Sequence, residues 1–272
     1  MNDKYLAILL QPIQTCLQYQ PKFGLGEKNG LTLPEFRHLY GSDSFYAWFG
    51  LDHPLLYAAH RAAGGITSIY RQIGIGVERL FREILKDTLS LSDTDVQWSY
   101  AIDVLGGKQR ILSLDARIPL ASIKDDTVKS RITKWMSDVT DDLSIAPSIR
   151  SMLQGIVFEV RQGYKSKDSK RQNADITNAA IAYTKGYLPC LVVLSSQIDE
   201  DVRLRYRNEK WSLLTGHFGA NDNPLRSIYA FMKDVIGYDL AEFFEQHSET
   251  IRLEVVKVLE HLLTPDNGDT RA

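Results

Sequence analysis

The sequence predicts an α/β fold: a mixed central β-sheet flanked by helices, with a mainly helical N-terminal region and a helical C-terminal part. Two neighbouring segments, 96–104 and 110–118, alternate apolar and polar residues as half-buried strands do. Two later apolar runs, 155–162 and 187–196, are separated by a helical pattern, which is typical of an α/β layer arrangement. We expect three parts: a helical and loop region at 1–65, a core at 66–200, and a C-terminal helical part of the same domain at 201–272.

Composition limits the partners that the protein can have. The 272 residues carry a net charge of −2, so an anionic partner must be met by a local cluster of cations. The two cysteines, Cys16 and Cys190, provide no disulfide framework and fit a reducing compartment. The apolar run near the N-terminus is too short to span a bilayer and lacks a signal-peptide pattern, so we expect a cytoplasmic protein with no membrane partner.

The first helix and hairpin of the core are predicted from their periodicity. Apolar residues at spacings of three and four predict a helix over 73–89. The strands VQWSYAIDV (96–104) and RILSLDARI (110–118) are joined by LGGKQ, a hairpin turn signal. Pairing about this turn predicts that Ile102 lies opposite Leu112, Tyr100 opposite Leu114, and Trp98 opposite Ala116.

The later elements follow from the same criteria. Residues 121–140 and a short stretch near 147–154 predict helices, and GIVFEVRQ predicts a third strand. A helix through KRQNADITNAAIAYTKG is capped by Asp168 or Ser169 and ends at Gly186. The run 187–196 predicts a buried fourth strand. Further helices are predicted at 201–210, 224–236 and 239–263.

Two acids stand on the polar faces of the predicted strands. Asp115 and Glu159 can converge on a hard divalent cation, which takes a few carboxylate oxygens together with water and substrate phosphate. Asp103 has the same parity as Asp115 and is the alternative first acid. Arg161 shares the face of Glu159, and a purely structural alternative is that Glu159 pairs with Arg161 or Arg79.

A cationic cluster follows the third strand. From 161 to 171 there are five cations against one anion, and Lys165, Lys167, Lys170 and Arg171 predict a surface that neutralises phosphate. The alternative is a solvated loop and helix start. Arg71, in the glycine-containing segment 58–76, is a further candidate for DNA contact unless that segment is a tight packing turn. Arg205 is a candidate in 203–216, where an exposed amphipathic helix is the alternative.

These residues resemble the PD-(D/E)xK nucleases, above all the type II restriction endonucleases. Leu114-Asp115 takes the place of "PD", and Glu159-Val160-Arg161 takes the place of "(D/E)xK". The helix at 73–89 resembles the family's first core helix, on which Glu78 fits the position of a supporting acid. The resemblance covers about 70–196. It departs from the family at Leu114 and, more seriously, at Arg161, because arginine cannot act as a general base; Lys165 or Lys170 is the alternative source of the lysine.

The resemblance implies a restriction-endonuclease-like fold whose nuclease core is 66–200. It implies metal-dependent, site-specific hydrolysis of double-stranded DNA, with Asp115 and Glu159 as ligands of Mg²⁺, which Mn²⁺ can replace, and with Arg161, Lys165 and Glu78 as further catalytic candidates. It also implies a homodimer acting on a palindromic site. One alternative is a catalytically inactive DNA- or RNA-binding module on the same fold. Another is an α/β enzyme acting on a small phosphorylated compound.

Overall fold

A computed structural model describes residues 2–23, 30–104, 108–164, 169–217, 219 and 223–263, with backbone alone at 102–104, 108, 110, 169–172 and 174. The chain divides into two compact units. The first is formed by residues 3–76 and 247–272, and the second by residues 77–246. The second unit contains all the strands of the described residues and all the predicted site residues except Arg71.

The first unit is helical, as predicted for the N-terminal region. Its helices are α1 (Asn2–Gln14), α2 (Leu33–Ser42), α3 (Ser44–Trp48), the part of α4 (Pro54–Thr88) up to Gly76, and the end of α11 (Leu240–Leu263). Helix α4 begins far upstream of the predicted 73–89, so the tight packing turn that was one alternative for 58–76 is wrong and that segment is helical. A Cβ on Gly76 would lie 2.6 Å from the carbonyl oxygen of Leu9, and this close approach of α1 explains a glycine inside a helix.

The second unit begins with the rest of α4, a short helix α5 (Asp93–Val96), and a hairpin of β1 (Trp98–Val104) and β2 (Lys108–Leu114). The predicted register of this hairpin is wrong by two residues. Trp98 pairs with Leu114 and Tyr100 with Leu112. The shift is even, so Trp98, Tyr100 and Leu114 still lie on one buried face and contribute to the same apolar cluster. The link 105–107 lies outside the described residues.

The predicted second strand is interrupted. After β2 the chain bends at Asp115, and β3 (Ala116–Pro119) enters a different sheet. This sheet has four strands in the order β3-β4-β5-β6, with β4 (Gly155–Arg161), β5 (Tyr187–Val193) and β6 (Ser212–Thr215). Strands β3 and β4 are antiparallel, whereas β4, β5 and β6 are parallel. The α/β class and the mixed sheet are therefore confirmed, and β6 is a strand that the sequence did not predict.

Helices cover both faces of this sheet. They include α6 (Asp126–Asp142), α7 (Pro147–Arg150), α8 (Ser169–Thr184), α9 (Glu200–Asn208) and α10 (Ile228–Ala230), which leads into a π-helical turn (Phe231–Ile236). On one face, Phe158 contacts Phe81 of α4 and Phe231, with ring centroids 5.2 and 6.0 Å apart. On the other, Val157 belongs to a cluster with residues of α8 and α9. Gly186, at φ +74°, follows the end of α8 as predicted.

In the part of the chain that the structure describes, no helix combines the length and the apolar character needed to cross a membrane.

Candidate active site

Asp115 lies at the junction of the two sheets. Its main-chain N–H donates to the carbonyl oxygen of Phe158 at 2.8 Å, although Phe158 pairs with the next residue, Ala116. Two consecutive residues thus face one residue of β4, the arrangement of a β-bulge, which redirects a side chain. The redirected carboxylate accepts a hydrogen bond of 2.7 Å from the main-chain N–H of Val160 through Oδ2. Asp115 therefore bonds to Phe158 and to Val160, the residues immediately before and after Glu159.

Glu159 and Arg161 lie on the same face of β4, as their parity predicts. The Glu159 side chain is 17% exposed, in a strand that is otherwise buried. Its Oε1 accepts a hydrogen bond from Arg161 Nη2 at 3.2 Å. The pairing of Glu159 with Arg161, foreseen as a structural alternative, is therefore present, and it fixes the direction of the Glu159 carboxylate.

Arg161 is buried rather than open to a substrate. Its side chain is 5% exposed, and the same Nη2 donates to Asp175 Oδ2 on α8 at 2.5 Å. Its guanidinium also lies over the ring of Tyr164, with Cζ 5.0 Å from the centroid. Burial opposes the charge on Arg161, but the nearby carboxylates of Asp175 and Glu159 outweigh it and raise the pKa of the guanidinium. Arg161 is a permanent cation in this site.

Asp175 is held by a second partner, which completes a buried network. The hydroxyl of Tyr206 on α9 donates to Asp175 Oδ2, and the hydroxyls of Tyr206 and Tyr164 lie 3.2 Å apart. Burial and the charge of Asp175 raise the pKa of the Tyr206 hydroxyl, so it remains a donor. The network connects β4 to α8 and α9 at the position of the predicted motif.

Helix α4 contacts the main chain of Asp115. Arg82 Nε donates to the main-chain oxygen of Asp115 at 2.6 Å. Glu78 is half-buried on the same helix, four residues before Arg82, so the two residues lie on one helical face. The predicted supporting acid is therefore on the helical face from which Asp115 is contacted.

The carboxylates of Asp115 and Glu159 are the kind of oxygen ligand that a hard divalent ion takes, but they are only two. Among the described residues, no three or more His, Cys, Asp or Glu side chains are grouped to hold a metal. Mg²⁺ does not require three, because it uses one or two carboxylates and completes its shell with water and substrate phosphate. An ionised carboxylate offers about four acceptor positions. The hydrogen bonds to Asp115 Oδ2 and Glu159 Oε1 orient these two carboxylates.

The predicted cationic surface is described only in part. Lys165 and Lys167 lie outside the described residues, as does Asp168, and for Lys170 and Arg171 the structure gives only the backbone, in the first turn of α8. Arg205 Nη2 donates to Asn173 Oδ1 at 2.6 Å, two residues after Arg171, so α9 brings a cation to this end of α8. Arg71 is exposed on α4 in the first unit.

The alternative first acid, Asp103, belongs to the other sheet. Its backbone is in β1, where it pairs with Gln109, and its side chain is not described. Asp115, in contrast, bonds to two residues of β4, through its main-chain N–H to Phe158 and through its carboxylate to Val160. The geometry favours Asp115.

Sequence reasoning missed Asp175, Tyr206 and Arg82. Asp175 and Tyr206 come from two helices that follow β4 along the chain, 14 and 45 residues after Arg161, and no local motif connects them to it. One signal was available: Asp175 is an acid next to the apolar stretch of a predicted helix, and a buried acid requires a partner.

Comparison with known proteins gave no match: no family model, no curated protein and no solved structure is similar to this chain.

Proposed function

We propose that the protein is a metal-dependent endonuclease that hydrolyses double-stranded DNA at a specific site, as a type II restriction enzyme does. One observation carries the proposal: the bonds from Asp115 N to Phe158 O and from Val160 N to Asp115 Oδ2 lie on either side of Glu159. The two acids of the motif thus occupy adjacent positions on neighbouring segments, which supports a cation shared between them.

Each residue of the site has a proposed role. Asp115 and Glu159 hold Mg²⁺, or Mn²⁺ in its place, and a bound ion supplies a Lewis acid for the scissile phosphate. Arg161 is directed into the buried network, so its role is to hold the Glu159 carboxylate rather than to contact phosphate. Lys165 or Lys170 transfers the proton, because arginine cannot act as a general base. Glu78 acts as a supporting acid from α4.

The proposal also specifies the partners and the finer fold. The mixed sheet with α4 on one face and α8 on the other is compatible with a restriction-endonuclease-like core. Lys165, Lys167, Lys170, Arg171, Arg205 and Arg71 would contact the DNA backbone. A homodimer would match the symmetry of a palindromic site, and the cytoplasm would be the place of action.

Incubation of the protein with a sequenced plasmid and Mg²⁺ or Mn²⁺ tests the proposal. We expect discrete fragments whose mapped ends share one sequence, and no cleavage in EDTA. Glu159→Gln is the matched control, because it keeps the size of the side chain and removes its charge; it should not cleave. Plasmid left intact with each metal, or equal cleavage by Glu159→Gln, would overturn the proposal.

A second candidate, an inactive nucleic-acid-binding module, is favoured by one observation: the residue at the motif's lysine position is buried in an ion pair with Asp175. This alternative predicts salt-sensitive DNA binding with no turnover in any metal. The plasmid digest together with a binding assay in EDTA separates the two functions.

A further inference from the structure

The first unit exposes an aromatic surface on and just after α3. Phe45, Tyr46, Trp48 and Phe49 are 59%, 38%, 82% and 68% exposed. Residues 45, 48 and 49 are spaced by three and four, so they share one face of the helical turn, and the rings of Phe45 and Phe49 lie 5.0 Å apart. We name these four residues the α3 patch. The largest apolar patches on soluble proteins are often contact surfaces for a partner.

The α3 patch is held in place by its own local structure. Asp43 accepts hydrogen bonds from the main-chain N–H groups of Phe45 and Tyr46 at 2.9 and 3.3 Å, which caps α3. The ring of Tyr46 stacks on Tyr40 of α2 at 4.7 Å. Gly50, at φ +64°, ends the turn, and its N–H bonds to the carbonyl oxygen of Ala47. A surface that is already ordered loses little side-chain freedom when a partner covers it.

The area of the α3 patch corresponds to one side of a protein dimer. At ~200 Å² for an aromatic side chain, the exposed fractions amount to roughly 500 Å² of apolar surface. A standard interface buries about 800 Å² per partner, of which roughly 60–65% is apolar, so the patch supplies the apolar share of one such interface.

The composition of the α3 patch favours a second copy of this chain. The stretch 44–51, SFYAWFGL, contains no charged residue, and dimer interfaces between identical chains are the more apolar class. A two-fold interface brings the same patch from each copy together, so it must be self-complementary. Aromatic rings meet that condition, since they pack edge-to-face or offset against one another with no opposite charge.

We propose that the α3 patch is a homodimer interface, with Trp48 and Phe49 at its centre. This goes beyond the proposed function, which calls for two copies but assigns them no contact surface. It does not rest on that function either, because association is measured without DNA or metal.

Sedimentation equilibrium over a wide concentration range tests the inference. We expect a dimer, and we expect Trp48→Ser combined with Phe49→Ser to weaken association by at least ~100-fold, as loss of central aromatic residues does. Leu204→Ser combined with Leu253→Ser is the control, because both leucines are similarly exposed, at 57% and 63%, but lie elsewhere. A wild-type monomer at every concentration, or a double-serine variant that dimerises as well as wild type, would overturn the inference.

Cysteine cross-linking keeps the test decisive if the double-serine variant does not fold. Both native thiols, Cys16 and Cys190, are buried. Under mild oxidation, at least one of Phe45→Cys, Trp48→Cys and Phe49→Cys should form a disulfide-linked dimer, and Leu253→Cys should not. If none of the three cross-links more than Leu253→Cys, the interface is elsewhere and the inference is wrong.

Discussion

Val160 donates its main-chain N–H to Asp115 Oδ2 across 2.7 Å, so the first acid of the candidate site also accepts a main-chain hydrogen bond from β4. Val160 is buried, and an N–H that loses its acceptor there costs about 1–3 kcal/mol. We therefore expect Asp115→Ala to lower the free energy of unfolding by about that amount. Asp115→Asn retains an acceptor oxygen and should lose less than ~1 kcal/mol. Urea unfolding measures both, and equal losses would contradict the prediction that an acceptor oxygen at this position is what stabilises β4.

The ion pair between Arg161 and Asp175 should show strong coupling. Arg161→Met leaves the buried Asp175 carboxylate without its cation, which costs about 3–5 kcal/mol. Adding Asp175→Asn removes the unpaired charge, so the double variant should be more stable than Arg161→Met. A double-mutant cycle in urea unfolding should give a coupling of about 1–3 kcal/mol. Additive losses would indicate that the two residues do not depend on each other.

Cys190 should make the protein sensitive to alkali. Burial in β5 raises the pKa of its thiol from 9.0 to about 12, although a hydrogen bond with Ser212 acts against the shift. A thiol whose folded pKa is raised contributes stability that is present below pH 9 and is lost as the pH rises toward 12. The loss from this group is about 1.4 kcal/mol per pH unit.

Cys190→Ala should therefore flatten the dependence of unfolding free energy on pH just above pH 9, whatever its effect at pH 7. Urea unfolding of both proteins at several pH values between 8 and 10 measures the two slopes. Parallel slopes would contradict a raised pKa for Cys190.

Arg205 bonds to Asn173, which directly follows the first turn of α8. If it contacts a DNA phosphate, Arg205→Ala should reduce the slope of log affinity against log salt by about 0.9. Arg150→Ala is the control, since Arg150 is bonded to Asp141 and to main-chain oxygens near α7. Fluorescence anisotropy in EDTA measures the slopes, and an unchanged slope for Arg205→Ala would remove Arg205 from the interface.

Much of the fold was predictable because period-two and period-3.6 patterns reflect burial directly. The strands at β1, β4 and β5 and the helices α6, α8 and α11 follow from such patterns. The hairpin register was not predictable, because a shift of two residues leaves Trp98 and Tyr100 on the same face. Strand β6 has four residues, too few for a pattern to stand out. The division into 1–65, 66–200 and 201–272 stays a prediction.

The candidate site was predictable only where it is local. The spacing of Glu159 and Arg161 on one strand fixed their common face in advance. The bend at Asp115 was not visible, since the alternation of polar and apolar residues continues through it from Leu114 to Ala116. The burial of Arg161 in a hydrogen-bonded network depends on Asp175 and Tyr206, which are brought close to it by the tertiary packing of α8 and α9.

Titration of the protein with Mn²⁺, followed by calorimetry in the absence of DNA, tests the central claim most directly. The claim is that the carboxylates of Asp115 and Glu159 hold one divalent ion. We predict saturable binding to wild type that is lost in both Asp115→Asn and Glu159→Gln, while the two variants keep the far-UV circular dichroism of the wild type. Mn²⁺ binding of equal affinity in the wild type and both variants, or no binding to the wild type, would contradict it.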